Sequence, residues 1–161
     1  MNTTTDYSGR QVDVELLQTI IQPSGVVPVS ISSINTAAKM VAGIQKLVQR
    51  YTLLLLTNLN DVKFDAEQGG DLLKLVLDGY VQDTGQLQYA FASANNRVVT
   101  QLNNDDLDGE TYGTTPMDEM ISEAILLDAN VEKATSTAYL RIQIISQAGT
   151  EFTFVLPVTK K

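Results

Sequence analysis

The chain of 161 residues contains no cysteine, no histidine and no tryptophan. Without cysteine there is no disulfide framework, no thiolate metal site and no cysteine nucleophile; without histidine the commonest metal ligand and the usual general base are gone. Serine and threonine are plentiful but lack the histidine that activates a hydroxyl, and no Ser-Lys spacing points to the alternative pairing. Positive charge is scarce as well. Eleven Lys and Arg stand against nineteen Asp and Glu, a net charge of -8, and the basic residues are scattered, so no nucleic-acid partner is expected. Long apolar runs are also missing. The richest, residues 51–56, is six residues where a membrane-spanning helix takes about 20, and it reads as a buried helix end. The opening MNTTTDYSGRQ has neither a charged n-region nor an apolar h-region, so a soluble product without membrane contact is expected.

What remains fits a single domain over residues 1–161, long enough to bury roughly two thirds of its unfolded surface, with a flexible or partner-ordered tail at about residues 1–10. Val12, Val14 and Leu16 alternate with Asp13 and Glu15, the period of a half-buried strand. A second, short strand follows over residues 26–31, at an edge because Pro28 cannot donate to a ladder. A long helix is expected from a cap at Ser32, Ser33 or Asn35 to about Leu56, with Ile34, Val41, Ile44, Val48, Tyr51 and Leu55 on its packed face and Gly43 inside it. Residues 71–78 form a second helix stopped by Gly79. A third starts at Thr84 and stacks Leu87, Phe91, Ala94, Val98 and Leu102. Residues 103–117 read as a loop by composition. The period then changes to alternation: Ile125, Leu127, Ala129 and Val131; Leu140, Ile142 and Ile144; Phe152, Phe154 and Leu156, with Ala148-Gly149 turning between the last two. The expected fold class is α+β, a small antiparallel sheet with a C-terminal meander packed against about three helices.

The chemistry-bearing patterns are thin. Asn104, Asp106, Asp108 and Gly109 reproduce the first half of a calcium loop, but the closing position is Thr115 where a bidentate Glu is needed, so no metal is expected. Glycoside hydrolysis needs two facing carboxylates, one of raised pKa; Asp65, Glu67, Asp71 and Glu119 are available but none lies in an apolar run. Gly69-Gly70 opens a helix with Asp71 and no phosphate-binding lysine, which fits a helix cap better than an anion cradle. No catalytic residue, cofactor or small-molecule substrate is expected. Interaction surface is left: residues 151–158 are β-prone and apolar, and such a strand is either a pairing edge or an edge protected by Lys160 and Lys161.

Residues 43–73, GIQKLVQRYTLLLLTNLNDVKFDAEQGGDLL, order their features in a distinctive way. A helix carrying Gln45 and Gln49 runs into a leucine-rich stretch ending in Thr57. A polar turn follows, then Phe64 and Asp65 ahead of Gly69, then a helix opening on Leu72 and Leu73. This order resembles the sheath initiators of contractile phage tails and related injection systems, small lysozyme-like components of the baseplate wedge. The likeness resumes from Met117 into the C-terminal strands, where the family's acidic-basic step stands as Asp118, Glu119 and Ile121, with Met120 in place of its arginine. The resemblance implies a non-enzymatic virion protein on the baseplate, made in the host cytoplasm. Its implied partners are the sheath protein, wedge proteins and tail tube or hub proteins. Its implied contacts are strand pairing with sheath through Phe152, Thr153, Phe154, Val155 and Leu156, and wedge docking through Asp118, Glu119 and Ile121. Another tail connector or terminator subunit, or a muramidase-like hydrolase, are the alternative readings.

Overall fold

The computed structural model describes residues 13–14, 16–19, 29–31, 40–61, 67–107 and 115–159. In chain order the elements are β1 (Asp13–Val14), β2 (Leu17–Thr19), β3 (Val29–Ile31), β4 (Met40–Val41), α1 (Ile44–Leu56), α2 (Leu72–Leu77), α3 (Thr84–Leu107), β5 (Ile121–Glu132), β6 (Thr137–Ser146) and β7 (Glu151–Thr159). The fold is α+β. β5, β6 and β7 form an antiparallel meander in that order, and the helices cover one of its faces.

Strict alternation builds the centre of the sheet. In β6, Ala138, Leu140, Ile142 and Ile144 point to the helices, while Tyr139 and Arg141 point away. Leu140, Ile142 and Ile144 are fully buried, and each such side chain is worth about 1.5–3 kcal/mol of transfer free energy. β7 contributes Phe154, Leu156 and Val158 to the same layer, and Gly149, at φ 77, turns the chain between the two strands. In β5 the expected face is broken. A register shift between Leu126 and Asp128 puts an extra residue into the strand, so Ala124 and Leu126 face inward before it and Ala129 and Val131 after it. Leu127 is thereby left 47% exposed instead of sharing the face of Ala129.

The helices show where periodicity holds and where it stops. On α3, Leu87, Phe91, Ala94, Val98 and Leu102 are all buried, as their spacing predicts. The helix continues to Leu107, so residues 103–107 are helical and not loop. Asp106 explains the extension, since its Oδ1 accepts a hydrogen bond of 3.2 Å from Arg50 on α1, which ties the last turn to a neighbouring helix. α1 is shorter than expected. Residues 40–41 are extended and pair with Asp13 and Val14, and the helix begins at Ile44; the expected helical residues 32–39 lie outside the described residues. Gly43 is the joint. Its φ of 62 and ψ of -144 are open to glycine almost alone, so it turns a strand into a helix and is not an interior helical residue.

Tyr51 of α1 sits at the centre of the core. Its hydroxyl donates to Asn95 Oδ1 at 2.6 Å, and Asn95 Nδ2 donates to the carbonyl of Ala124 at 3.1 Å, so one hydrogen-bonded chain joins α1, α3 and β5. Burial pushes the Tyr51 phenol far above its ordinary value of 10.0. Gly69 and Gly70 seal the far end of α1: Gly70 N donates to the carbonyls of Leu54 and Thr57, and Asp71 N donates to Thr57. α2 then runs from Leu72 to Leu77, one residue inside the expected span at each end, with Asp71 in a left-handed conformation before it and Gly79, at φ 80, just past its end where the sequence places the stop.

Candidate strand-pairing site

β7 is nine residues of extended chain with β6 along one side, from Ile145 opposite Glu151 to Thr137 opposite Thr159, without a register shift. Among the described residues its other side carries no ladder partner. Period two divides the five residues expected to pair with a partner. Phe154 and Leu156 are sealed against the helices, Phe152 is half-buried with its ring 6.4 Å from that of Phe154, and Thr153 and Val155 lie half-buried on the opposite face. Phe154 and Leu156 therefore belong to the core of this chain, and what the strand offers outward is its main chain with Thr153 and Val155.

Pro157 fixes which way that main chain points. It has no N–H to donate, yet the register with β6 runs through it opposite Tyr139. Residues of its parity, Thr153 and Val155 among them, consequently turn N–H and C=O away from β6 and toward the open side.

The residues expected to dock on a wedge are mostly turned inward. Glu119 is 1% exposed; its Oε1 accepts from Gly43 N at 3.0 Å and its Oε2 from Lys46 Nζ at 2.9 Å. Ile121, the first residue of β5, is buried, and Asp118 is half-buried in the turn before it. The step is thus an internal brace between the start of α1 and the start of β5. Its acidic composition looks like surface because Lys46, 73 positions earlier, cannot be matched to Glu119 from the sequence.

One functional side chain carries a signal that sequence reasoning passed over. Gln49 stands on the buried face of α1 and is 4% exposed. Its Oε1 accepts from Leu16 N at 2.7 Å and its Nε2 donates to the carbonyl of Val14 at 2.9 Å, so the side-chain amide pairs with extended main chain as a neighbouring strand would. A glutamine between Val48 and Tyr51 on an apolar face is that signal, because a buried amide needs partners.

The other candidates are placed as follows. Asn104 and Asp106 lie on α3, where residues two apart diverge by about 200° and do not converge on one ion. Asp108 and Gly109 are outside the described residues. An open polar cleft beside α3 is lined by Asn60, Glu67, Asn96, Arg97, Thr100 and Gln101, with Glu67 its one carboxylate among the described residues. Asp71 is not among the lining residues; its Oδ1 accepts at 2.9 Å from the N–H of Leu59, which is. Comparison with family models, with curated proteins and with solved structures finds no match to this chain.

Proposed function

We propose that the chain is a structural component of a contractile-tail baseplate, which seats on the wedge around the tube and nucleates the sheath by strand pairing with its first ring. The observation that carries this reading is the outer side of β7, a nine-residue strand with one ladder neighbour among the described residues and outward-turned main-chain groups at Thr153 and Val155. Main-chain pairing of this kind supplies affinity, while alternate side chains supply fit. The rigid helical back that such a platform needs is present in the packing of α1, α2 and α3 on the inner face. The order of features over residues 43–73 adds the resemblance to sheath initiators. No helix among the described residues is long and apolar enough to cross a membrane, which is compatible with a place in a virion.

The test is a proline at Thr153 or Val155. Each removes a donor from the open side and leaves the ladder to β6 in place, so the protein should fold with its circular dichroism unchanged while electron micrographs show tails without sheath. Folded variants that still support full-length sheath would exclude β7 as the pairing strand.

A further inference from the structure

Two tyrosines face solvent where the core has no use for them. Tyr80 is 69% and Tyr89 81% exposed, and both line one groove between α2 and α3. Its floor is apolar: Leu75, Val81 and Ala90 line it while packing in or against the core. Single exposed apolar residues are ordinary on a surface, but two aromatic rings at one apolar groove have the composition of an interface. The frame is set before anything binds. Tyr80 N donates to the carbonyl of Leu75 at 3.1 Å, Gln86 N to Asp83 Oδ1 at 2.8 Å and Gln82 N to Gln86 Oε1 at 2.7 Å, so the connection from α2 to α3 is bonded at both ends. Gly85 keeps the groove open. It is helical, and among the described residues a Cβ there would meet only Asp83 Oδ1, at 3.3 Å, beyond its own helix backbone and chain neighbours. The fold therefore does not demand glycine, a poor helix former, at this place.

The chemistry of the lining decides between occupants. Gln86 has its side-chain oxygen engaged by Gln82 N, which leaves its Nε2 to donate, and the hydroxyls of Tyr80, Tyr89 and Ser93 add three more donors. The groove thus calls for carbonyl acceptors. The carbonyls of a helix are bonded within it, and a β-strand brings N–H groups that need a main-chain edge. A polyproline II chain leaves its carbonyls free, has no N–H at its prolines and seats proline rings on aromatic ones. Charge adds a second requirement. Residues 75–96 contain no Lys or Arg, Asp78 and Asp83 are exposed at the two ends of the connection, and Lys133 lines the neighbouring cleft instead of this groove.

We propose that this groove binds a proline-rich, extended segment of a partner protein, with prolines between Tyr80 and Tyr89 and a Lys or Arg beside Asp78 or Asp83. The site is separate from the strand pairing of β7 and does not rest on it. Because the groove and its rim are already fixed by hydrogen bonds, and a polyproline chain is already extended, little ordering is needed when the two meet.

The experiment is fluorescence anisotropy of a dye-labelled decaproline carrying one arginine, titrated with the full chain. Binding should saturate with the wild type, weaken about tenfold in Tyr80→Ala and in Tyr89→Ala, and be lost in Gly85→Leu, which fills the groove. Circular dichroism should match the wild type in all three. Tyr89→Ala, at a residue 81% exposed, keeps the test independent of how Gly85→Leu folds. A peptide with glutamate for its arginine should bind more weakly, by a margin that shrinks as salt is raised. A peptide with glycine for every second proline should not bind. No saturable binding by the wild type, equal affinity for the glycine peptide, or unchanged affinity in folded Tyr89→Ala overturns the proposal. So does self-association of the wild type in sedimentation that Tyr89→Ala abolishes, since the occupant is then a second copy of this chain.

Discussion

Glu119 shows how one side chain can be misjudged from its neighbours in sequence and explained by its neighbours in space. Within Pro116, Asp118 and Glu119 it looks solvated; in the fold it is a buried carboxylate with an ammonium and a main-chain amide as partners. Glu119→Ala removes a buried carboxylate that accepts from both Gly43 N and Lys46 Nζ, so it should lower stability by about 3 kcal/mol in urea titration. Gln49 follows the same logic in neutral form, with two hydrogen bonds worth about 0.5–1.5 kcal/mol each. Asp106 is the reverse case. Its Oδ1 has Arg50, but its Oδ2 is buried without a hydrogen-bond partner among the described residues.

Elements were legible wherever a period ran uninterrupted. The stack from Leu87 to Leu102 and the alternation from Leu140 to Ile144 needed nothing beyond their own spacing. What escaped were interruptions: the extra residue near Leu127 that flips the phase of β5, and the switch at Gly43 that ends an extended segment and begins α1. Both are backbone events that leave little trace in hydropathy. Glycines divide by cause in a way stability measurements can separate. A Cβ at Gly69 would lie 2.4 Å from the carbonyl oxygen of Thr57, with φ at 119, whereas Gly149, at φ 77, has nothing within 4 Å. Gly149→Ala should therefore cost about 1 kcal/mol, the strain of a left-handed residue. Gly69→Ala should cost at least about 2 kcal/mol because backbone must also move. Equal losses in chemical denaturation would show that space at Gly69 is not limiting.

At the scale of the whole molecule, one core joins α1, α2, α3 and the meander, and Tyr51 lies inside it. With its phenol held protonated by burial, Tyr51 has a higher pKa folded than unfolded, so its contribution to stability is complete below the ordinary value of 10.0 and is lost as pH rises above it. Melting temperature should fall above about pH 10 in the wild type and fall less steeply in Tyr51→Phe, as followed by circular dichroism. The α+β class and the C-terminal meander were readable from the sequence, and so were the helical segments that back them. The grip of Gln49 on the main chain of Leu16 and Val14 was not, since it joins residues 33 and 35 positions apart. The brace between Glu119 and Gly43 spans further still, 76 positions. A ribosome adding about 5–20 residues per second needs roughly 4–15 s to make that stretch. During that interval α1 emerges with its first amide unanswered and its apolar face bare, a nascent segment exposed to chaperones. Because β7 is made after Glu119, that strand appears only when the brace between α1 and the start of β5 can already close.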